Sequence, residues 1–191
     1  MLRISIALLV LSILGAQALQ QSEEEYILVE IPTFQINLDL DPKERFKEVI
    51  GHFKEECLAL INFYLEVIPG ITLDQIDAFF DILAPFLLET QPDYYYEMLG
   101  IAEVLDLPMS RSLFANYVYD ISTFCTSIVA RQADGTIIHG RNLDIFPTDL
   151  IRDVTFNAQY MKNGKHIFTG VQFAATIGLY TGIREGGFSI S

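Results

Sequence analysis

The chain is 191 residues long with 51% apolar and 19% charged side chains, enough apolar surface for a compact domain and too much for a disordered tail. Its net charge of −13 argues against nucleic acid, whose phosphates would be repelled, and leaves no polybasic patch for anionic lipid at neutral pH. An acidic compartment would neutralise part of that charge and ease approach to a membrane.

Residues 1–18 read as a secretory signal: Arg3 gives the positive start, Ile4 to Leu14 the apolar stretch, and Ala16-Gln17-Ala18 a small-x-small cleavage site, so the mature chain is expected to start near Leu19. A membrane anchor is the alternative, but the apolar run falls short of the ~20 residues that span a bilayer, and polar Gln20 to Glu25 follow it. No later segment is apolar for long enough, so the mature protein is expected to be soluble or peripheral, in the secretory pathway.

Between Asp41 and Val67 apolar residues recur at Phe46, Val49, Ile50, Phe53, Cys57, Leu60, Ile61, Tyr64 and Leu65, the spacing of one helix face. Asp41 before Pro42 is an N-terminal signal, and Pro69-Gly70 is a stop. A second helix is expected from about Thr72 to Leu88 with a kink at Pro85, and shorter ones over Tyr94 to Leu105 and Ser110 to Tyr119. Residues 19–124 thus form a mainly helical segment.

From Phe124 the composition turns to β-branched residues. Cys125 to Arg131 and Thr136 to Leu143 flank Asp134-Gly135, and Val154 to Met161 and His166 to Phe173 flank Asn163-Gly164. Both dipeptides tolerate the positive φ of hairpin turns, so two antiparallel strand pairs are expected. The sequence stops at Ser191 inside what reads as another strand, so residues 125–191 are expected to be the truncated start of a larger strand-rich unit.

Of the two cysteines, Cys57 sits in a helical pattern, where a buried small hydrophobe is the default over a bridge outside the chain. Cys125 leads a strand, and composition alone makes it a core residue. The Asp134-Gly135 turn, however, folds His139-Gly140-Arg141-Asn142-Leu143-Asp144 back beside it. An arginine beside a cysteine generally favours the thiolate, the form that attacks. The blander reading is a structural Arg141–Asp144 pair across a turn. His139 is read as structural, and three histidines without ligand spacing imply no metal site and no cofactor.

The run Phe124-Cys125-Thr126-Ser127-Ile128-Val129-Ala130, the following Asp-Gly, and the strand His139 to Asp144 resemble the acid ceramidase and N-acylethanolamine-hydrolysing acid amidase family. Ile36-Asn37-Leu38-Asp39-Leu40 resembles the opening of that family's helical segment. Met161 to Gly164, Phe168 to Gly170 and Gly178 to Gly182 look more like the acid amidase than the ceramidase. The resemblance runs from about Phe34 to the end. It implies an α+β chain of the N-terminal-nucleophile hydrolase fold, an αββα sandwich, made as a precursor that cuts itself between Phe124 and Cys125 into a small and a large subunit that stay associated.

By the same resemblance Cys125 is nucleophile and, through its freed α-amine, general base; Asp144 holds that amine; and Arg141 positions thiol and substrate. Ile145 and Tyr180 approach the acyl chain or the nucleophile, Ile145 standing where relatives often carry an aromatic residue. An asparagine downstream of Ser191 supplies the oxyanion donor. The implied partner is a lipid amide, an N-acylethanolamine ahead of a ceramide, handled in the lysosome or after secretion, with peripheral membrane contact through the Phe- and Leu-rich helix of Leu73 to Leu88. The rival from another class is a non-catalytic binding protein on the same fold. An acylase of the bile-salt or penicillin type is disfavoured by the long helical segment ahead of the cysteine. No Asn-x-Ser/Thr site is present, unlike in the usual glycosylated relatives.

Overall fold

Phe34 and Ile36 alternate with polar neighbours in a short strand, β1 (Thr33–Asn37), the first element of the computed structural model, which describes residues 30–67, 70, 72–122 and 124–191. The signal segment and the stop at Pro69 lie outside the described residues, as do the side chains of residues 119–124. A 3₁₀ turn follows at Pro42–Glu44, capped by the Asp41 carboxylate, which accepts from Lys43 N.

The expected first helix is two: α1 (Lys47–His52) and α2 (Lys54–Val67). They meet at Phe53, beside Gly51, a weak helix former. The break turns the Phe53 ring onto Phe34 at 5.9 Å and Phe156 at 6.3 Å, so sheet packing overrides helix continuity. Helix α3 (Leu73–Thr90) opens on a capping box, in which Gln75 N donates to Thr72 Oγ1 and Thr72 N to Gln75 Oε1, and runs on through Pro85. Helices α4 (Pro92–Leu105) and α5 (Met109–Ser122) complete the helical part. Leu60, Ile61, Met98, Ile101, Leu105 and Leu113 are its fully buried centre. Each such side chain contributes about 1.5–3 kcal/mol through apolar burial.

Strands β2 (Phe124–Arg131) and β3 (Ile137–Asp144) form a hairpin of their own, Cys125 opposite Leu143 and Ser127 opposite Arg141. After a short helix, α6 (Thr148–Asp153), β4 (Thr155–Lys162) and β5 (Lys165–Phe173) turn back through Asn163 and Gly164 with φ of 52° and 69°. Two short strands, β6 (Thr181–Ile183) and β7 (Ser189–Ile190), finish a five-stranded sheet in the order β1-β4-β5-β6-β7.

The sheet is not a plain antiparallel meander: β1 pairs parallel with β4, Ile36 beside Tyr160. The mainly helical segment therefore contributes the edge strand of the sheet. The buried face of β4, formed by Phe156, Ala158 and Tyr160, joins the helical core. The chain is α+β, and Ile31–Ser191 is one compact unit.

Candidate functional site

Side chains alternate along a strand, and residues directly opposite in an antiparallel pair share a face. Cys125, Ser127, Val129, His139, Arg141 and Leu143 therefore occupy one face of the β2–β3 hairpin, and Thr126, Asn142 and Asp144 the other. Arg141 is directly opposite Ser127 and diagonal to Cys125, a distance that a long side chain crosses.

The guanidinium is used on both sides. Nη2 donates to Cys125 Sγ at 3.2 Å. Nη1 donates to the Tyr180 carbonyl at 2.5 Å and the Thr181 hydroxyl at 2.6 Å. Arg141 is half-buried and Cys125 exposed, so a fixed cation meets an accessible sulfur. The other cysteine is the reverse case: Cys57 is free, fully buried in α2, and burial pushes its thiol up to about 12, where it is inert.

Asp144 lies across from Phe124, the residue ahead of the nucleophile candidate. Its exposed carboxylate accepts from Asn142 Nδ2 at 2.7 Å, on the face opposite the thiol. Ile145 follows in a shallow depression with Leu143, Phe146 and Thr148. That strand end is anchored from the helical segment, where the buried Tyr64 donates its hydroxyl to Phe146 O at 3.1 Å.

Tyr180 reaches the site through its backbone: the carbonyl holds Arg141, while the ring stacks on Phe173 at 5.4 Å. His139 has both ring nitrogens within hydrogen-bond distance of serines, Nε2 with Ser127 Oγ and Nδ1 with Ser189 Oγ, each at 2.7 Å. A cavity of about 250 Å³ lies between the hairpin and the β5–β6–β7 edge, with Ile137, Val171, Ile183 and Ile190 among its walls and Arg141 at one side. Among the described residues no group of three or more His, Cys, Asp or Glu side chains could hold a metal ion, and no helix is long and apolar enough to cross a membrane.

Tyr64, Thr181, Gln172 and Asn116 support the site and were not singled out from the sequence. The available signal was a polar residue at an apolar position: Asn116 on the buried face of α5 and Gln172 in the buried end of β5.

A family model described as the beta subunit of N-acylethanolamine-hydrolyzing acid amidase matches residues 29–90, wholly ahead of Cys125. A probable acid ceramidase of Caenorhabditis elegans is 34% identical over 175 residues, 83% of this chain and 44% of the relative. The N-acylethanolamine-hydrolyzing acid amidase of Mus musculus is 33% identical over 162 residues, 84% of this chain and 44% of the relative. The acid ceramidase of Pan troglodytes is 32% identical over 176 residues, 84% and 45% respectively. The chain thus spans less than half the length of these relatives.

Proposed function

Because the chain belongs to the family of N-acylethanolamine-hydrolyzing acid amidases and acid ceramidases, we propose that its gene product is an amide hydrolase whose nucleophile is Cys125, exposed by self-cleavage after Phe124. The observation that carries the reading is the Arg141 N–H on Cys125 Sγ at 3.2 Å, at the head of the strand that starts with Phe124. A charged donor there stabilises negative charge developing on sulfur.

In the precursor the Cys125 thiol would add to the Phe124 carbonyl carbon. The C–N bond to Cys125 breaks as the thiol proton passes to nitrogen, leaving a thioester that water hydrolyses. The cut frees the Cys125 α-amine, whose ordinary pKa of about 7.7–8.0 suits it to take the thiol proton in turnover. Asp144, in register with Phe124, is the residue proposed to hold that amine once the chain is open. In turnover the thiolate would attack the lipid amide, the amine product would leave with a proton, and water would release the fatty acid.

Fatty acid amides of ethanolamine are the preferred substrate class. The identities to relatives of the two names are alike, 33% and 32%, so the preference rests on the amidase-like stretches Met161 to Gly164 and Gly178 to Gly182. The cavity walled by Ile137, Val171 and Ile183 supports a role for an alkyl chain. On α3, Phe79, Ile82 and Phe86 are 62%, 81% and 58% exposed at helical spacing. Such a stripe supports peripheral contact with a lipid surface, as lysosomal work would require.

The test is intact-mass analysis of the whole gene product after incubation at acid pH, beside a Cys125→Ala control. Two fragments with a new N-terminus at Cys125, in the wild type alone, are expected. An uncut wild type would end the hydrolase reading. Cleavage of N-palmitoylethanolamine with ceramide untouched would separate the two substrate classes.

A further inference from the structure

Helix α5 and the segment between β5 and β6 lie on opposite sides of the Phe124–Cys125 bond, and a buried amide joins them. Asn116 is 5% exposed. Its Oδ1 accepts from Ile177 N at 2.7 Å, and its Nδ2 donates to Ser112 O at 3.1 Å. The second bond fixes which end of the amide faces the loop.

The next two residues are held as well. Gln172 Nε2 donates to Gly178 O at 2.5 Å and to Tyr160 Oη at 2.6 Å. Leu179 lies over Gly170 and Gly182, where a Cβ on either glycine would press into its side chain. Tyr180 and Thr181 follow directly, and they are the acceptors that take Arg141 Nη1 and leave Nη2 aimed at Cys125 Sγ.

We infer that Asn116 is a positioning residue for Cys125, acting through the 177–181 segment and Arg141, an inference that rests on the reading of Cys125 as the nucleophile. Leaving Ile177 N without its acceptor frees the first point of a run held at three. Once the chain is cut, this bond joins two fragments, so the helical fragment remains part of the nucleophile's setting.

The test is iodoacetamide labelling of the whole gene product at neutral pH, followed at the Cys125 peptide by mass spectrometry. Arg141→Ala should slow labelling about tenfold, the weight of one hydrogen bond to a charged group. Asn116→Ala should slow it toward the same rate. The double variant should label no slower than Arg141→Ala alone, because both changes remove one interaction. Should Asn116→Ala fail to fold, Asn116→Leu, nearest in shape and without the acceptor, takes its place in the cycle.

Losses that multiply in the double variant, or wild-type labelling in a folded Asn116 variant, would overturn the inference. Labelling needs no cut. A wild type that stays whole at acid pH yet shows the expected pattern removes the proposed hydrolase and keeps the positioning of the thiol. A chain that cuts itself but shows multiplying losses does the opposite.

Discussion

A guanidinium can serve two sites at once because its N–H groups form a rigid planar fork. Arg141 uses one arm for the Tyr180 carbonyl and the Thr181 hydroxyl and the other for sulfur, and Tyr64 steadies the strand end beyond it by donating to Phe146 O. Burial first, and then the nearby Tyr180 phenol, push the Tyr64 hydroxyl up to about 12 from an ordinary 10.0. A folded value above the unfolded one means that the contribution is whole below the unfolded pKa and is lost only as pH rises through the folded one. Tyr64→Phe should therefore cost about 1 kcal/mol, equally at pH 5 and pH 8, read from urea midpoints. A loss at only one of those pH values would mean that another group titrates with the bond. The placement of Arg141 beside Cys125 was legible in the sequence because a turn between two short strands fixes which residues come side by side, whereas the Asp144 carboxylate lies on the other face of the hairpin. Asn116 and Tyr64 were not legible, because their partners are 61 and 82 residues away, and no local pattern announces such a bond.

Helix α4 is locked to the Pro42–Glu44 turn by charge and by close approach. Arg45 Nη1 meets Asp93 at 3.1 Å and Glu97 at 2.8 Å, and Lys43 pairs with Glu103. Gly100 is where the backbones touch: a Cβ there would collide with the Lys43 carbonyl. Gly→Ala inside a helix ordinarily gains about 1 kcal/mol from propensity, whereas forcing apart a close-packed contact costs about 1–3 kcal/mol. The obstructing atoms are backbone and cannot swing away, so Gly100→Ala should lower the melting temperature; a rise would mean that the turn yields freely. The helices α3, α4 and α5 were legible to within a few residues because one apolar face repeats along each. The break at Phe53 was not, since it is set by rings on the sheet. Strand β1 was missed for a related reason: it is five residues long and pairs parallel with β4, and parallel pairing leaves no turn signal in the sequence.

At the scale of the molecule, the Phe124–Cys125 bond divides the sequence but not the structure. Strand β1 belongs to the segment ahead of the bond and lies in the sheet formed by the segment after it. Tyr64 to Phe146, Asn116 to Ile177, and Asp39 Oδ2 with Asn163 N all cross the same division. Ile36, fully buried at the β1–β4 seam, is the apolar anchor of that crossing. Cutting one peptide bond removes none of these contacts, so the two fragments of the cut protein should coelute in gel filtration without denaturant. Ile36→Ala removes three buried carbons, a change that typically costs about 2–5 kcal/mol in a core. In the uncut chain that loss falls on stability alone; in the cut protein it falls on association, where each 1.4 kcal/mol is about a tenfold change in affinity. The variant fragments should therefore separate on dilution at concentrations where the wild type stays joined. Wild-type fragments that part unaided would mean that β1 keeps its place in the sheet only while the chain is continuous.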